Sequence, residues 1–314
     1  MNYEKIRTQP TRFESLTSLR VEEFDELLVE FERQLLKEQR KRSSRGTVRL
    51  NKVPVDGNLP TAGHALFFIT TYLKLNPLQE QHGASFDISQ SKVSRLLRTT
   101  LTALNLALEK MKYMPCRSGS DFAAFAEKRR AEGKEEHFFL DASERDIQRP
   151  DNDEDQEDYY SGKKKSHKVK NTVVSNEQTE ILYLGHTTEG SRHDKKMAEE
   201  EELTFPNDAF LWKDLGYLGF IPENVICFEL HKKPKNEELT ADQKAENAII
   251  SSIRIVVEHA IGGLKRCRII KDTIRLYEYF LRDNVVAVCA AIHNFRISKR
   301  PPYQVNTIFN FCPI

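Results

Sequence analysis

The 314-residue sequence has no apolar run near the ~20 residues that a membrane-spanning helix needs. Its mean hydropathy is −0.58, so the sequence excludes an integral membrane protein. The first residues, MNYEKIRTQPTRFESL, also lack the apolar segment of a secretory signal. The five cysteines are odd in number and have no CxxC spacing, which argues against a disulfide framework and a zinc ribbon. A reducing, cytoplasmic compartment fits these absences best.

Charge is unevenly distributed, although the formal net charge is only +1. Residues 1–120 carry 19 Lys and Arg against 13 Asp and Glu, whereas the remainder carries 29 against 34. This split is typical of a basic part that binds a polyanion and an acidic part that gathers carboxylates, and equally of an uneven solvated surface. The most basic stretch, 37–52, is either a solvated linker or an arm lying along phosphates.

Two helices in the N-terminal part have the pattern of a helix-turn-helix. The segment PLQEQHGASF is followed by a short polar turn and then by KVSRLLRTTLTALNLALEKMK, whose apolar residues form one stripe. This pattern predicts a helix-turn-helix at about 76–110, within an all-α domain over residues 1–120. The second helix begins with side chains of the types that reach base edges and phosphates: Gln90, Ser91, Lys92, Arg95 and Arg98. An ordinary helical bundle with a polar face would have the same pattern.

From about residue 136 the pattern changes to three strands, a helix, a strand and further helix. This order predicts an α/β domain over residues 121–314, in which the first three strands can form a meander within a mixed sheet flanked by helices. A segment between the first two strands changes from six acids at 151–158 to lysines, among them Lys163, Lys164 and Lys165. A protruding loop is the simpler interpretation, and the lysines could also grip a phosphate backbone.

Three acids follow or interrupt apolar segments of this second domain. Asp141 comes directly after the apolar FFL and is expected to end the first strand, Asp214 ends the later strand FLWKD, and Glu258 lies within IRIVVEHAIGGLK. Each acid alone could simply face water. Carboxylates that converge repel one another unless divalent cations lie between them, and oxygen-only ligands favour Mg²⁺ or Mn²⁺. Two such ions support an in-line displacement at phosphorus, which is the chemistry of DNA strand cleavage.

The helix that carries Glu258 adds a second pattern. Arg254, Glu258 and Lys265 are spaced R-x3-E-x6-K, which returns to nearly the same face of a helix. That face would offer a carboxylate to a metal ion and two cationic groups to DNA phosphates. An equally good interpretation is i,i+4 ion pairing, which stabilises a helix by about 0.2–0.5 kcal/mol.

In combination, these segments resemble the DDE transposases of bacterial insertion sequences, most closely the branch related to the eukaryotic PIF/Harbinger elements. The resemblance rests on DASE with IQRP, on YYSGKKKSHKVKN, on GSRHDKK, on KDLGY and on RIVVEHAIGGLKR, in this order. The N-terminal segment LFFITTYLKLNPLQEQHGASFDISQSKVSRLL resembles the helix-turn-helix of the same branch. The resemblance spans almost the whole chain and implies an α/β, ribonuclease H-like catalytic domain preceded by a helical DNA-binding domain.

The resemblance also implies roles for individual residues. Asp141 matches the first catalytic Asp, and Glu258 matches the Glu of the signature Y-x2-R-x3-E-x6-K, with Arg254 and Lys265 in register. For the second Asp, the strand order of the fold favours Asp214. Arg254, Lys265 and the adjacent Arg266 are expected to contact DNA.

Asp194 in GSRHDKK is the competing candidate for the second Asp, and otherwise an accessory metal ligand or a helix-start acid. Two positions depart from the family pattern. Ser251 replaces the signature tyrosine, which puts the tyrosine's role in doubt, and Ala142-Ser143 stands where Gly-Thr is usual. Neither change removes a carboxylate from the expected metal ligands, which are Asp141, Asp194, Asp214 and Glu258.

The function implied is that of a transposase, which binds the terminal inverted repeats of a mobile element and target DNA. With two Mg²⁺ (or Mn²⁺) ions it would cleave and transfer DNA strands in the prokaryotic cytoplasm, at the nucleoid. Pairing two element ends implies a homo-oligomer, at least a dimer, in the active state. One alternative is a domesticated, catalytically silent DNA-binding or regulatory protein derived from a transposase. Another is a metal-dependent nuclease or resolvase unrelated to mobility.

Overall fold

A computed structural model describes residues 1–42, 57–133 and 137–300. Most of the basic stretch at 37–52 therefore lies outside the described residues. Contacts between Cα atoms divide the chain into two compact units. Unit 1 contains Met1–Met114 and Leu264–Lys299, and unit 2 contains Pro115–Gly263. The domain division expected at residue 120 stays a prediction, and by contacts the C-terminal helices belong with the N-terminal ones.

The described elements, in chain order, are twelve α-helices, seven strands and one short 3₁₀ turn at Leu215–Tyr217. The helices are α1 (Tyr3–Arg7), α2 (Pro10–Thr17), α3 (Val21–Arg42), α4 (Ala62–Leu75), α5 (Gln79–Phe86), α6 (Gln90–Lys110), α7 (Gly119–Ala131), α8 (Asp153–Tyr159), α9 (Asp194–Glu200), α10 (Ala241–Leu264), α11 (Arg268–Lys271) and α12 (Tyr279–Ser298). The strands are β1 (His137–Asp146), β2 (Tyr160–Ser161), β3 (Ser166–Ser175), β4 (Ile181–Leu184), β5 (Thr188–Glu189), β6 (Phe210–Lys213) and β7 (Ile226–Phe228). None of the described helices is both long and apolar enough to cross a membrane.

Unit 1 is all-helical, and its centre is the amphipathic helix α6. The stripe of Val93, Leu97, Leu101 and Leu104 is buried, as its helical spacing predicts. It packs against α3, α5 and α12. α4 is buried on nearly every side, which explains its predominantly apolar sequence. α12 was not predicted, although it supplies the longest buried run of this unit.

α5 and α6 form the predicted pair of helices with a three-residue turn between them. Asp87 ends α5 in the left-handed conformation, with φ of 56°. The Ile88 N–H then donates to the Gly83 carbonyl at 2.9 Å. A Cβ atom at Gly83 would collide with the Ile88 carbonyl oxygen, so this tight turn requires glycine at position 83.

Unit 2 is built on a mixed sheet, which confirms the predicted α/β, ribonuclease H-like fold. The strand order is β2-β3-β1-β6-β7, and β4 and β5 also pair with β3. β1 and β4 are antiparallel to β3, whereas β6 is parallel to both β1 and β7. The β1-β3-β4 part is the expected meander, and the parallel strands follow the helical crossover through α9.

Two apolar layers cover this sheet. On one face, Phe138, Leu140 and Leu211 pack with Phe122 of α7 and with Tyr217. Trp212 belongs to an aromatic stack, with its ring 4.0 Å from that of Phe228. Successive strand residues face opposite sides, so Leu211 and Trp212 contribute to different layers. This packing fixes the register of β1 and β6, from which the acidic side chains project.

Candidate carboxylate site and nucleic-acid interface

Asp141 and Asp214 follow paired residues of two neighbouring parallel strands. Leu140 of β1 is in register with Lys213 of β6, and each acid is the next residue along its chain. Asp214 comes directly after the end of β6, as expected. Asp141 was expected to end its strand, and this was wrong: β1 continues to Asp146 because the long strand β3 keeps pairing with it.

Arg254 of α10 lies between these two aspartates. Its guanidinium nitrogens are 3.6 Å from an Asp141 carboxylate oxygen and 3.3 Å from an Asp214 carboxylate oxygen. The Arg254 residue is only 8% exposed. One cationic side chain thus contacts two carboxylates that are 73 positions apart in the sequence. The structure places the Arg254 guanidinium against protein carboxylates. That Arg254 contacts DNA stays a prediction.

Asp141 has an altered acidity in this environment. Burial raises its pKa to about 6, because the charged form loses hydration. The Ala142 N–H, which donates to the Asp141 carboxylate at 2.8 Å, and the charge of Arg254 both lower the pKa again. The neighbouring charges of Asp214 and Asp194 raise it. The two acids are therefore close enough to repel Asp141.

Asp194, the first residue of α9, belongs to the same cluster. Its carboxylate lies against Gly216, where a Cβ atom would collide with an Asp194 oxygen. Lys170 of β3 donates to Asp194 at 3.0 Å, and its ammonium nitrogen lies 3.7 Å from a Glu144 oxygen. The Asp194 carboxylate thus contacts the turn that follows Asp214, and Lys170 is the cationic partner of Asp194.

Lys213 holds the backbone that follows Asp214. Its side chain is fully buried, and its ammonium group donates to the Phe220 carbonyl at 2.5 Å and to the Tyr217 carbonyl at 3.4 Å. It also forms a 2.8 Å ion pair with Glu229. A buried ammonium needs such partners to offset its lost hydration. These contacts tie the turn after β6 to the end of the strand and so position Asp214.

Glu258 lies on α10, one helical turn beyond Arg254, and its side chain is exposed. In the part of the chain that the structure describes, no three His, Cys, Asp or Glu side chains converge closely enough to hold a metal ion. The charges of Asp214 and Asp194 act on Asp141, and no contact among the described residues joins Glu258 to these aspartates. The oxygen-only donors still suit Mg²⁺ or Mn²⁺, and the Arg254 guanidinium marks a cationic position between two of them.

The start of α6 presents two different faces. Gln90 and Arg98 are engaged within unit 1, since the Gln90 amide donates to Gln79 at 2.8 Å and Arg98 makes a two-point ion pair with Glu278. These side chains line a cavity of about 370 Å³ together with Leu276 and Tyr277. Ser91, Lys92 and Arg95 are exposed, as is Gln90, whereas Arg98 is half-buried.

The other predicted DNA contacts lie in separate places. Lys163, Lys164 and Lys165 form an exposed turn between β2 and β3. Lys265 follows the end of α10 and is half-buried, and Arg266 is exposed. Sequence reasoning missed the roles of Lys170, Lys213 and Glu278, since no local pattern marks a contact between residues so far apart in the chain.

Two family models match parts of this chain. Residues 140–294 match the family described as DDE superfamily endonuclease, and residues 58–110 match the helix-turn-helix of DDE superfamily endonuclease. A probable transposase for insertion sequence element IS702 from Microchaete diplosiphon is 30% identical over 164 residues. That alignment covers 51% of this chain and 57% of the relative's length. No solved structure matches the chain. The endonuclease match thus contains Asp141, Asp194, Asp214 and Glu258, and the helix-turn-helix match contains α5 and α6.

Proposed function

We propose that this protein is a transposase that cleaves and transfers DNA strands with the help of divalent metal ions. The observation that carries the proposal is the approach of Arg254 to both Asp141 and Asp214. Two acids that follow paired residues of parallel strands face one cationic position, which is an arrangement suited to binding a divalent ion. The matched families and the probable transposase of Microchaete diplosiphon support the same proposal.

In this proposal Asp141 and Asp214 hold the metal ions, Asp194 acts as an accessory ligand, and Glu258 completes the set from α10. When bound, two divalent ions would activate the attacking oxygen and stabilise the charge that develops at phosphorus. Lys213 keeps the turn after Asp214 in place, and Gly216 leaves room for the Asp194 carboxylate. Glu258, which is exposed on α10, would join the aspartates when the metal ions bind.

DNA recognition is assigned to α6 of the helix-turn-helix. Ser91, Lys92 and Arg95 are exposed at its start and have the side-chain types that contact phosphates and base edges. We propose that this helix binds the terminal inverted repeats and that the lysine turn at 163–165 contacts the DNA backbone. Lys265 and Arg266 are further backbone contacts. The protein acts as a homo-oligomer on DNA at the prokaryotic nucleoid, and the PIF/Harbinger-related branch remains our assignment of lineage.

The Asp141→Asn variant tests the proposal. The substrate is a supercoiled plasmid that carries this gene with its native flanking DNA, incubated with Mg²⁺ or Mn²⁺. The variant should still shift this DNA in a gel but lose metal-dependent nicking. Asp153→Asn, which changes an exposed acid of α8, is the matched control and should nick like the wild type. Retained nicking by Asp141→Asn would contradict the assignment.

The same experiment separates this proposal from its alternative, a catalytically silent DNA-binding protein. That protein would shift the plasmid and show no metal-dependent nicking even as wild type. Inverted repeats that closely flank the gene would favour a mobile element over a resolvase or another nuclease.

A further inference from the structure

We propose that Arg254 is a displaceable counter-ion, which occupies the position between Asp141 and Asp214 and competes there with the divalent ion. This inference rests on the proposed metal-dependent function. It changes the expected role of Arg254, which the sequence pattern places on DNA. Without a bound metal, its guanidinium is the shared cationic partner of the two carboxylates that the metal requires.

The geometry of the contacts favours displacement. Hydrogen-bonded pairs of a guanidinium and a carboxylate have N···O distances of about 2.7–2.9 Å. The two Arg254 distances are longer, 3.6 Å to Asp141 and 3.3 Å to Asp214. The Arg254 Nε atom is buried and makes no hydrogen bond with any residue that the structure describes. Charge attraction therefore holds this side chain between the aspartates without the directed hydrogen bonds that would fix it there.

The ion pairs of the neighbouring residues leave Arg254 as the counter-ion of Asp141 and Asp214 among the described residues. Lys170 already pairs with Asp194 and Glu144. Among the described ion pairs, those of Asp141 and Asp214 are both with Arg254. Without a cation, the two acids would repel each other in a partly buried site. The metal-free protein thus needs Arg254 for stability.

A guanidinium and a divalent ion cannot occupy the same position between two carboxylates, because they would overlap and repel. Binding of the metal must therefore separate Arg254 from at least one aspartate. The free energy of that separation opposes metal binding, so removing the guanidinium should strengthen it. A side chain with a purely structural role would have the opposite effect, because its loss would loosen the ligands and weaken metal binding.

The test is a titration of the full-length protein with Mn²⁺, without DNA, followed by electron paramagnetic resonance of free Mn²⁺. Arg254→Gln should bind Mn²⁺ about tenfold more tightly than the wild type, a coupling within the usual range between two sites. Its melting temperature without metal should be lower, and Mn²⁺ should raise that temperature more than in the wild type. Arg149→Gln is the matched control for the loss of one positive charge, since Arg149 bonds only to Gln156 among the described contacts. Unchanged or weaker Mn²⁺ binding by Arg254→Gln would overturn the inference.

A second measurement remains usable if Arg254→Gln does not fold. The measurement is the ¹⁵N-¹H signal of the Arg254 Nε group in the wild type, which is assigned by its loss in Arg254→Lys. This signal should shift when Mg²⁺ is added, and the midpoint of the shift should equal the midpoint of metal binding. A signal that stays constant at saturating Mg²⁺ would also overturn the inference. Tighter Mn²⁺ binding by Arg254→Gln with no wild-type nicking would refute only the proposed function. Normal nicking with unchanged Mn²⁺ affinity would refute only the role of Arg254.

Discussion

The carboxylate of Asp194 lies directly against Gly216, in the turn that follows Asp214. A methyl group at position 216 would occupy the place of an Asp194 oxygen, so this glycine permits the approach of the two segments. Gly216 is in the short 3₁₀ turn at Leu215–Tyr217, a conformation that alanine also adopts. The need for glycine here comes from the neighbouring carboxylate.

We therefore expect Gly216→Ala to displace the Asp194 carboxylate while changing the free energy of unfolding by less than about 1 kcal/mol, because the end of a side chain moves easily. Metal-dependent nicking should fall at least tenfold, similar to the loss in Asp194→Asn, if Asp194 is a ligand. Plasmid nicking and urea unfolding measure the two effects. Wild-type nicking by both variants would show that the Asp194 position is not used.

The two arginines at the start of α6 should contribute unequally to DNA binding. Arg95 is exposed, whereas Arg98 forms an ion pair with Glu278. We expect Arg95→Gln to weaken binding of the terminal DNA more than Arg98→Gln. It should also reduce the slope of log K against log salt concentration by about 1, the value for one lost phosphate contact. Gel-shift titrations at several salt concentrations measure both quantities, and an equal or larger effect of Arg98→Gln would contradict the assignment of the two faces.

Adding a side chain at Gly83 should destabilise the helix-turn-helix. Alanine ordinarily stabilises a helix relative to glycine, by about 1 kcal/mol. At position 83, however, the added Cβ would collide with the Ile88 carbonyl oxygen, and backbone cannot move as freely as a side chain. We expect Gly83→Ala to destabilise the protein by about 1–3 kcal/mol and to reduce DNA binding.

Gly57→Ala is the control for this variant, because nothing lies within 4 Å of the added Cβ. Urea unfolding and gel shifts of both variants test the prediction. A Gly83→Ala protein as stable as Gly57→Ala would mean that the turn between α5 and α6 has room to relax.

His82 should make the stability of the protein depend on pH. Burial lowers its pKa to about 4, although its contact with the Phe68 carbonyl at 3.1 Å acts in the opposite direction. The unfolded chain, with an ordinary His pKa near 6.5, binds this proton first as the pH falls. Stability is therefore lost between about pH 6.5 and 4, by about 3 kcal/mol for this one group.

The measurement is the free energy of unfolding of the wild type and of His82→Gln from pH 7 to 4. The glutamine amide can still donate to the Phe68 carbonyl, but it does not titrate. The difference between the two proteins should shift in favour of the variant as the pH falls. A difference that stays constant would contradict the assignment to His82.

The sequence predicted most elements of the fold because their signals are local. The apolar stripe of α6, the break near Asp87 and the β-rich segments that form β1 and β3 all depend on nearby residues, and the structure confirms them. The grouping of α12 with the N-terminal helices depends on contacts across about 180 positions, such as Asn294 with Tyr113. No periodicity in the sequence can reveal such a contact.

The candidate site was predictable to a similar extent. The strand order of the fold that the resemblance implies favoured Asp214 as the partner of Asp141, and the register of β1 with β6 came from the structure. The contact of Arg254 with both acids depends on where α10 lies relative to β1 and β6, which helix periodicity does not specify. The exposed Glu258 likewise shows that a shared helix face does not ensure a shared site.

Because unit 1 is assembled from both Met1–Met114 and Leu264–Lys299, its folding must wait for a late part of the chain. During synthesis, the first 114 residues leave the ribosome without α11 and α12, which pack onto α4 and α6. By the time that α12 is synthesised, all the described strands of unit 2 have already been made. Translation that stops before α12 thus yields a nascent chain that contains every described strand of unit 2, while unit 1 lacks part of its apolar interior.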